Sequence, residues 1–128
     1  MSILSPLDAL RRRGIPFGVV SSSWRWYVEH CLRELGMYED AAVIVTGSDG
    51  LPLKPAPAPY QAAARVFRPA PPGAVLAVED SGSGVRSAVA AGLACAAVYN
   101  PDSGAQDLSP ARWRLNSLYE LPALLDGN

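Results

Sequence analysis

The chain has a single histidine and two cysteines among its 128 residues, which leaves little of the side-chain chemistry those residues usually carry. His30 falls inside a helical pattern and is given no role. Cys31 and Cys95 lie on different elements without metal-ligand spacing and are expected as buried thiols. No apolar run approaches membrane-spanning length, and the N-terminus lacks a charged-then-apolar signal pattern. A cytoplasmic location is therefore the expectation, with no membrane partner. The formal charge of −1 gives no basic footprint for nucleic acid. Arg11-Arg12-Arg13 is the one basic cluster, read as an exposed helix end stopped by Gly14. A Gly-rich phosphate loop of the P-loop or dinucleotide type is also missing.

What is present argues for one globular domain over 1–128. Hydrophobic residues make up 49% and charged residues 18%, a balance that excludes disorder. Apolar runs alternate with helical patterns. Strands are expected at Ile15 to Val20, Ala41 to Thr46, Ala74 to Val78 with Glu79 at the tip, and Ala94 to Tyr99. A short last strand is expected at Trp113 to Leu115. Between them, Trp24 to Leu35 carries an apolar stripe at 24, 27, 28, 31, 32 and 35, a helical period that Gly36 ends. Trp26 lies off that stripe. A second helix, Pro57 to Phe67, has Tyr60, Ala63, Ala64 and Phe67 on its inner face. Near-continuous apolar strands separated by helices indicate α/β architecture, a parallel sheet covered on both faces.

Three strand ends carry the polar residues. Val78-Glu79-Asp80-Ser81-Gly82-Ser83-Gly84 reads as strand, acidic tip, tight turn and helix, and open α/β folds bind ligands at such carboxyl ends. Two adjacent acids repel unless a cation or a hydrogen-bond network holds them; the alternative is an acidic cap on the next helix. Val19-Val20 runs into Ser21-Ser22-Ser23 before a helix, which suits either an anion site or a serine N-cap. Gly47 to Pro57 is a Gly/Pro-rich loop with a single lysine, Lys54, near its end. Pro55 restricts Lys54 to an extended backbone, which suits an aimed ammonium.

Taken in order, Ser21-Ser22-Ser23, Lys54-Pro55-x-Pro57-x-x-Tyr60 and Glu79-Asp80-Ser81-x-x-Gly84 resemble the motifs of haloacid dehalogenase-like (HAD) hydrolases. The branch most resembled contains β-phosphoglucomutase and phosphoglycolate-type phosphatases. The resemblance implies a Rossmann-like three-layer core and action on a small phosphorylated metabolite. It implies that Ser21, with Ser22 beside it, binds the phosphoryl group and that Lys54 neutralises charge on that group and on the nucleophile. It also implies that Asp80 ligates magnesium, with Glu79 supporting the metal directly or through water.

One motif of the family is missing. Its Asp-x-Asp-Gly-Thr strand supplies nucleophile and acid/base, yet no Asp-x-Asp occurs in this sequence, nor does a cap segment. The resemblance thus implies an N-terminally truncated core without a cap domain. Phosphoryl transfer through an aspartyl phosphate needs an attacking carboxylate and a proton donor, so an inactive chain with weak magnesium binding is expected. In the family's sheet the missing strand separates the strand ending at Ser21 from the strand ending at Glu79. Three outcomes stay open: the two edges pair, a second chain fills the slot, or the domain is marginally stable. Three readings of function follow: a portion of a phosphatase or phosphomutase, one half of a complemented enzyme, or a non-catalytic phosphate-binding or interaction domain.

Overall fold

The computed structural model describes residues 6–126. Pro6–Arg13 form helix α1, whose last turn carries Arg11, Arg12 and Arg13 against the negative end of the helix dipole. Gly14 follows at φ 63°, a left-handed conformation that stops the helix. The remaining elements are β1 (Gly18–Val20), α2 (Arg25–Glu34), β2 (Val43–Val45), α3 (Ala58–Arg65), β3 (Leu76–Glu79), α4 (Gly82–Ala90), β4 (Ala94–Val98), β5 (Trp113–Leu115) and α5 (Leu121–Leu125). This is the alternating α/β order expected from the sequence. Among the described residues no helix is long and apolar enough to cross a membrane.

Every strand pairing is parallel. Gly18 lies opposite Val43 in the β1–β2 pair, Leu76 opposite Ala94 in β3–β4, and Ala96 opposite Trp113 in β4–β5. Two sheets result, β1-β2 and β3-β4-β5. Direct pairing of β1 with β3, one of the three outcomes open in the sequence, is not adopted.

The facing edges can be assigned residue by residue, because alternate residues of a parallel strand address opposite neighbours. The Phe17 carbonyl and the Ser21 N–H bond toward β2, to Ala42 and Val45, so Gly18 and Val20 turn away from it. The Val75 carbonyl accepts from Ala94 beside β4, so Leu76 and Val78 turn away from β4. These four residues flank the gap between the sheets.

The core sits around β3, β4 and the helices α3 and α4. Tyr60, Ala77, Val85, Ala88, Cys95 and Ala97 form its buried centre with Leu93. Small side chains at Ala77, Ala88, Ala96 and Ala97 let α4 approach β3 and β4 closely.

Helix α2 departs from expectation. Val28 and Leu32 are buried, but Trp24, Tyr27 and Leu35 are 68%, 50% and 66% exposed. The stripe is apolar as predicted, yet the described residues cover only its centre. Cys31, on the same helix, is half-buried rather than buried, whereas Cys95 is buried as expected. Trp26 is exposed and stands edge-on to Tyr27. His30 is exposed.

Candidate active site

Lys54 reaches the gap from the 47–57 loop. Its Nζ donates to the Val20 carbonyl at 3.0 Å and to Glu79 Oε2 at 2.6 Å. With 11% of its side chain exposed, Lys54 is not a solvated loop charge. It is a bridge from the tip of β1 to the tip of β3.

Glu79 ends β3 and is 8% exposed. The Tyr60 hydroxyl donates to the same Oε2 that Lys54 holds. Burial first, and the Glu79 charge second, push the Tyr60 phenol well above its ordinary range. The Lys54 ammonium also lies 5.4 Å from the Tyr60 ring centroid, within cation–π range. Gly84 packs directly against this carboxylate: a Cβ there would stand 2.0 Å from Glu79 Oε1, and the carboxylate would have to shift.

Asp80 belongs to a different network. Successive side chains along a strand point to opposite sides, and here the Asp80 Oδ2 accepts from Asn100 Nδ2 at 2.8 Å and Ser103 Oγ at 3.4 Å. Both acids are therefore held by hydrogen bonds. The cap of α4 is Ser81, whose hydroxyl accepts from the Gly84 N–H at 3.1 Å, so Asp80 does not act as the N-cap.

The serine turn supplies donors. Ser21 Oγ accepts from the Ser23 N–H at 3.1 Å, which leaves the hydroxyl proton free to donate. The sequence alternative of a serine N-cap does not hold: Trp24 occupies that position and makes no side-chain cap. Instead Ser48 Oγ, from the 46–50 turn, accepts the Arg25 N–H at 2.9 Å.

Ser21, Ser22, Lys54, Glu79 and Asp80 all line one cavity of about 1060 Å³, which Tyr99 and Tyr119 also line. The structure thus brings together every site residue expected from the sequence. It also brings two further side chains to these groups: Tyr60 at Glu79 and Asn100 at Asp80. The helical period accounts for Tyr60 as inner-face packing but not for its hydroxyl. Asn100 stands two residues past the end of β4, in the same kind of strand-end position as Asp80. Arg25 neither reaches the cavity nor faces solvent freely; it is bonded to Asp49, Glu29 and the Ile44 carbonyl.

Magnesium takes six oxygen ligands and is bound through carboxylates. Among the described residues, no group of three acids, histidines or cysteines could hold a metal, and Glu79 is committed to Lys54 and Tyr60. The described residues do not by themselves make a magnesium site. Asp80 is the one carboxylate of the pair without a cationic partner among the described residues.

The motif order and the cavity agree with the comparisons to known proteins. Over 123 residues the chain is 36% identical to YhcW of Bacillus subtilis (strain 168), provisionally named a phosphatase; 94% of this chain and 55% of the relative are covered. It is 31% identical over 122 residues to the validoxylamine A 7'-phosphate phosphatase of Streptomyces hygroscopicus subsp. limoneus, covering 88% of this chain and 55% of that protein. Among solved structures it resembles a CbbY variant from Rhodobacter sphaeroides in complex with xylulose-(1,5)bisphosphate. That match has a TM-score of 0.81 and 30% identity, over 90% of this chain and 52% of the other. The chain spans about half the length of these relatives. The family model for haloacid dehalogenase-like hydrolases matches residues 2–98. Three strand tips converging on one lysine-bridged cavity, in a chain matched over most of its length by that model, place it in the haloacid dehalogenase-like hydrolase family.

Proposed function

We propose that this chain is the phosphate-side portion of a magnesium-dependent phosphatase or phosphomutase acting on a small phosphorylated metabolite in the cytoplasm. By itself it binds phosphate and does not turn substrate over. The observation that carries this reading is the convergence of Ser21, Ser22 and Lys54 on one cavity. There the Ser21 hydroxyl donates to a phosphoryl oxygen, and the Lys54 ammonium, oriented by Glu79 and Val20, offsets its charge. Asp80 would offer an oxygen to magnesium, a Lewis acid for phosphoryl oxygens when bound. No Asp-x-Asp occurs in these 128 residues, so an attacking carboxylate with its partner acid is missing. The relatives support the substrate class: one is named for a small-molecule phosphate and one is bound to xylulose-(1,5)bisphosphate.

Titration of inorganic phosphate followed by phosphorus NMR tests this. Binding should weaken in Ser21→Ala and in Lys54→Ala, while p-nitrophenyl phosphate with magnesium should remain unhydrolysed. Equal affinity in all three proteins would remove the phosphate site, and steady hydrolysis would overturn the claim of inactivity.

A second reading rests on the gap. Gly18 and Val20 on one side and Leu76 and Val78 on the other turn their backbone groups away from their paired strands. A strand supplied by another polypeptide and bearing Asp-x-Asp would satisfy both edges and complete the enzyme. Mixing the chain with a peptide of that pattern should then generate magnesium-dependent phosphatase activity; a dead mixture counts against complementation.

A further inference from the structure

Outside the cavity lining, a polar network ties the tip of β1 to the tip of β2. We propose that Arg25 and Asp49 are positioning residues of the phosphate site: they fasten the 46–50 turn against the serine turn and so fix where Ser21 and Ser22 point. This inference rests on the phosphate-binding reading above. Neither residue lines the cavity.

The two turns meet backbone to backbone. A Cβ on Gly47 would fall 2.2 Å from the Ser22 carbonyl oxygen, a contact that only glycine permits. The Gly47 N–H donates to the Ser23 carbonyl at 2.8 Å, and Ser48 takes up the first free N–H of α2 in place of a local cap. These bonds are short-range, so they require the 46–50 turn to hold its shape.

Asp49 gives it that shape. Its carboxylate accepts from the Thr46 N–H at 2.8 Å and from Thr46 Oγ1 at 3.1 Å, closing the turn on itself. Arg25 Nη2 then lies 3.1 Å from both Asp49 oxygens and donates to the Ile44 carbonyl at 2.9 Å. One guanidinium at the start of α2 therefore grips both the last turn and the strand leading into it, a geometry lysine cannot reproduce. The Glu29 carboxylate steadies it from the next turn of α2, 3.3 Å from Nη1. Because the other edge of β1 meets the gap, the serine turn has no sheet partner there, and attachment to β2 and its turn sets its position.

The test compares the full chain with Asp49→Asn, which keeps the shape and removes the charge, and with the milder Arg25→Lys. Inorganic phosphate affinity is read by phosphorus NMR, and amide hydrogen exchange reads the turns. Loss of a charge-assisted contact should weaken phosphate binding by about tenfold in a protein that still melts cooperatively. The double variant should be no worse than Asp49→Asn alone, since both remove one latch. Exchange should accelerate at the Gly47 and Arg25 amides and not in α4. A folded Asp49→Asn protein with unchanged affinity and unchanged exchange overturns the proposal. If Asp49→Asn fails to fold, Arg25→Lys decides by the same two readouts. If the unsubstituted chain binds no phosphate, the phosphate reading fails, and exchange alone decides whether Arg25 and Asp49 hold the serine turn.

Discussion

A single ammonium joins the two sheets: Lys54 Nζ lies 2.6 Å from Glu79 Oε2 at the tip of β3 and 3.0 Å from the Val20 carbonyl at the tip of β1. Both side chains of the ion pair are almost withdrawn from water, at 11% and 7% exposed. Breaking such a pair leaves a buried charge. Lys54→Met should cost about 3–5 kcal/mol in urea unfolding, and Lys54→Met combined with Glu79→Gln should cost less than Lys54→Met alone. A double variant no more stable than the single one would show that the pair is not the source of the loss.

The glycine that ends the acidic motif should be as sensitive as the ion pair. A methyl group on Gly84 meets the Glu79 carboxylate at 2.0 Å, whereas one on Gly73 meets nothing within 4 Å. Gly84→Ala should destabilise by about 1–3 kcal/mol through overpacking and displacement of Glu79. Gly73→Ala should be neutral or stabilise by up to about 1 kcal/mol, by restricting the unfolded chain. Thermal melts of the two variants check the contrast.

How much of this could be read from the sequence depends on the range of the interaction. The strand tips at Ser21 and Glu79 were legible because an apolar run ending in polar residues is a local pattern. The α2 stripe was legible as a face, but Trp24, Tyr27 and Leu35 are exposed: periodicity reports which side is apolar, not what exists to cover it. The partners of Glu79 were hidden for another reason. Tyr60 lies 19 residues away and Lys54 25, and only the fold decides that two donors reach one oxygen. Arg25 and Asp49, 24 residues apart, were illegible for the same reason. Asn100, by contrast, stands two residues past the end of β4, where the same local pattern marks it.

Magnesium alone should stabilise this chain little. Asp80 is one carboxylate held by Asn100 and Ser103, and Glu79 is engaged elsewhere. At about 5 mM magnesium the gain in unfolding free energy should stay below about 0.4 kcal/mol, the value for half-occupancy. Melts with and without the ion measure it. A larger gain that Asp80→Asn abolishes would reveal a complete metal site.

The two thiols should separate by access and by pH. Cys95 is 1% exposed on β4, and burial, reinforced by the nearby Glu79 charge, pushes its thiol up to about 11. Iodoacetamide should therefore label Cys31 in the native protein and reach Cys95 only after unfolding. The same displacement makes stability fall with rising pH. Below the ordinary value of 9.0 both states keep the proton and the stabilisation is fully present. Between there and about 11 the unfolded chain has released the proton that the folded chain retains, so stability should drop by up to about 1.4 kcal/mol per pH unit. Tyr60, also raised by burial from an ordinary 10.0, acts in the same direction but begins higher. Cys95→Ala should flatten the pH dependence of urea unfolding between 9 and 10 and lessen the loss above 10, where Tyr60 still contributes. A slope between 9 and 10 that survives Cys95→Ala would assign the alkaline sensitivity to another group.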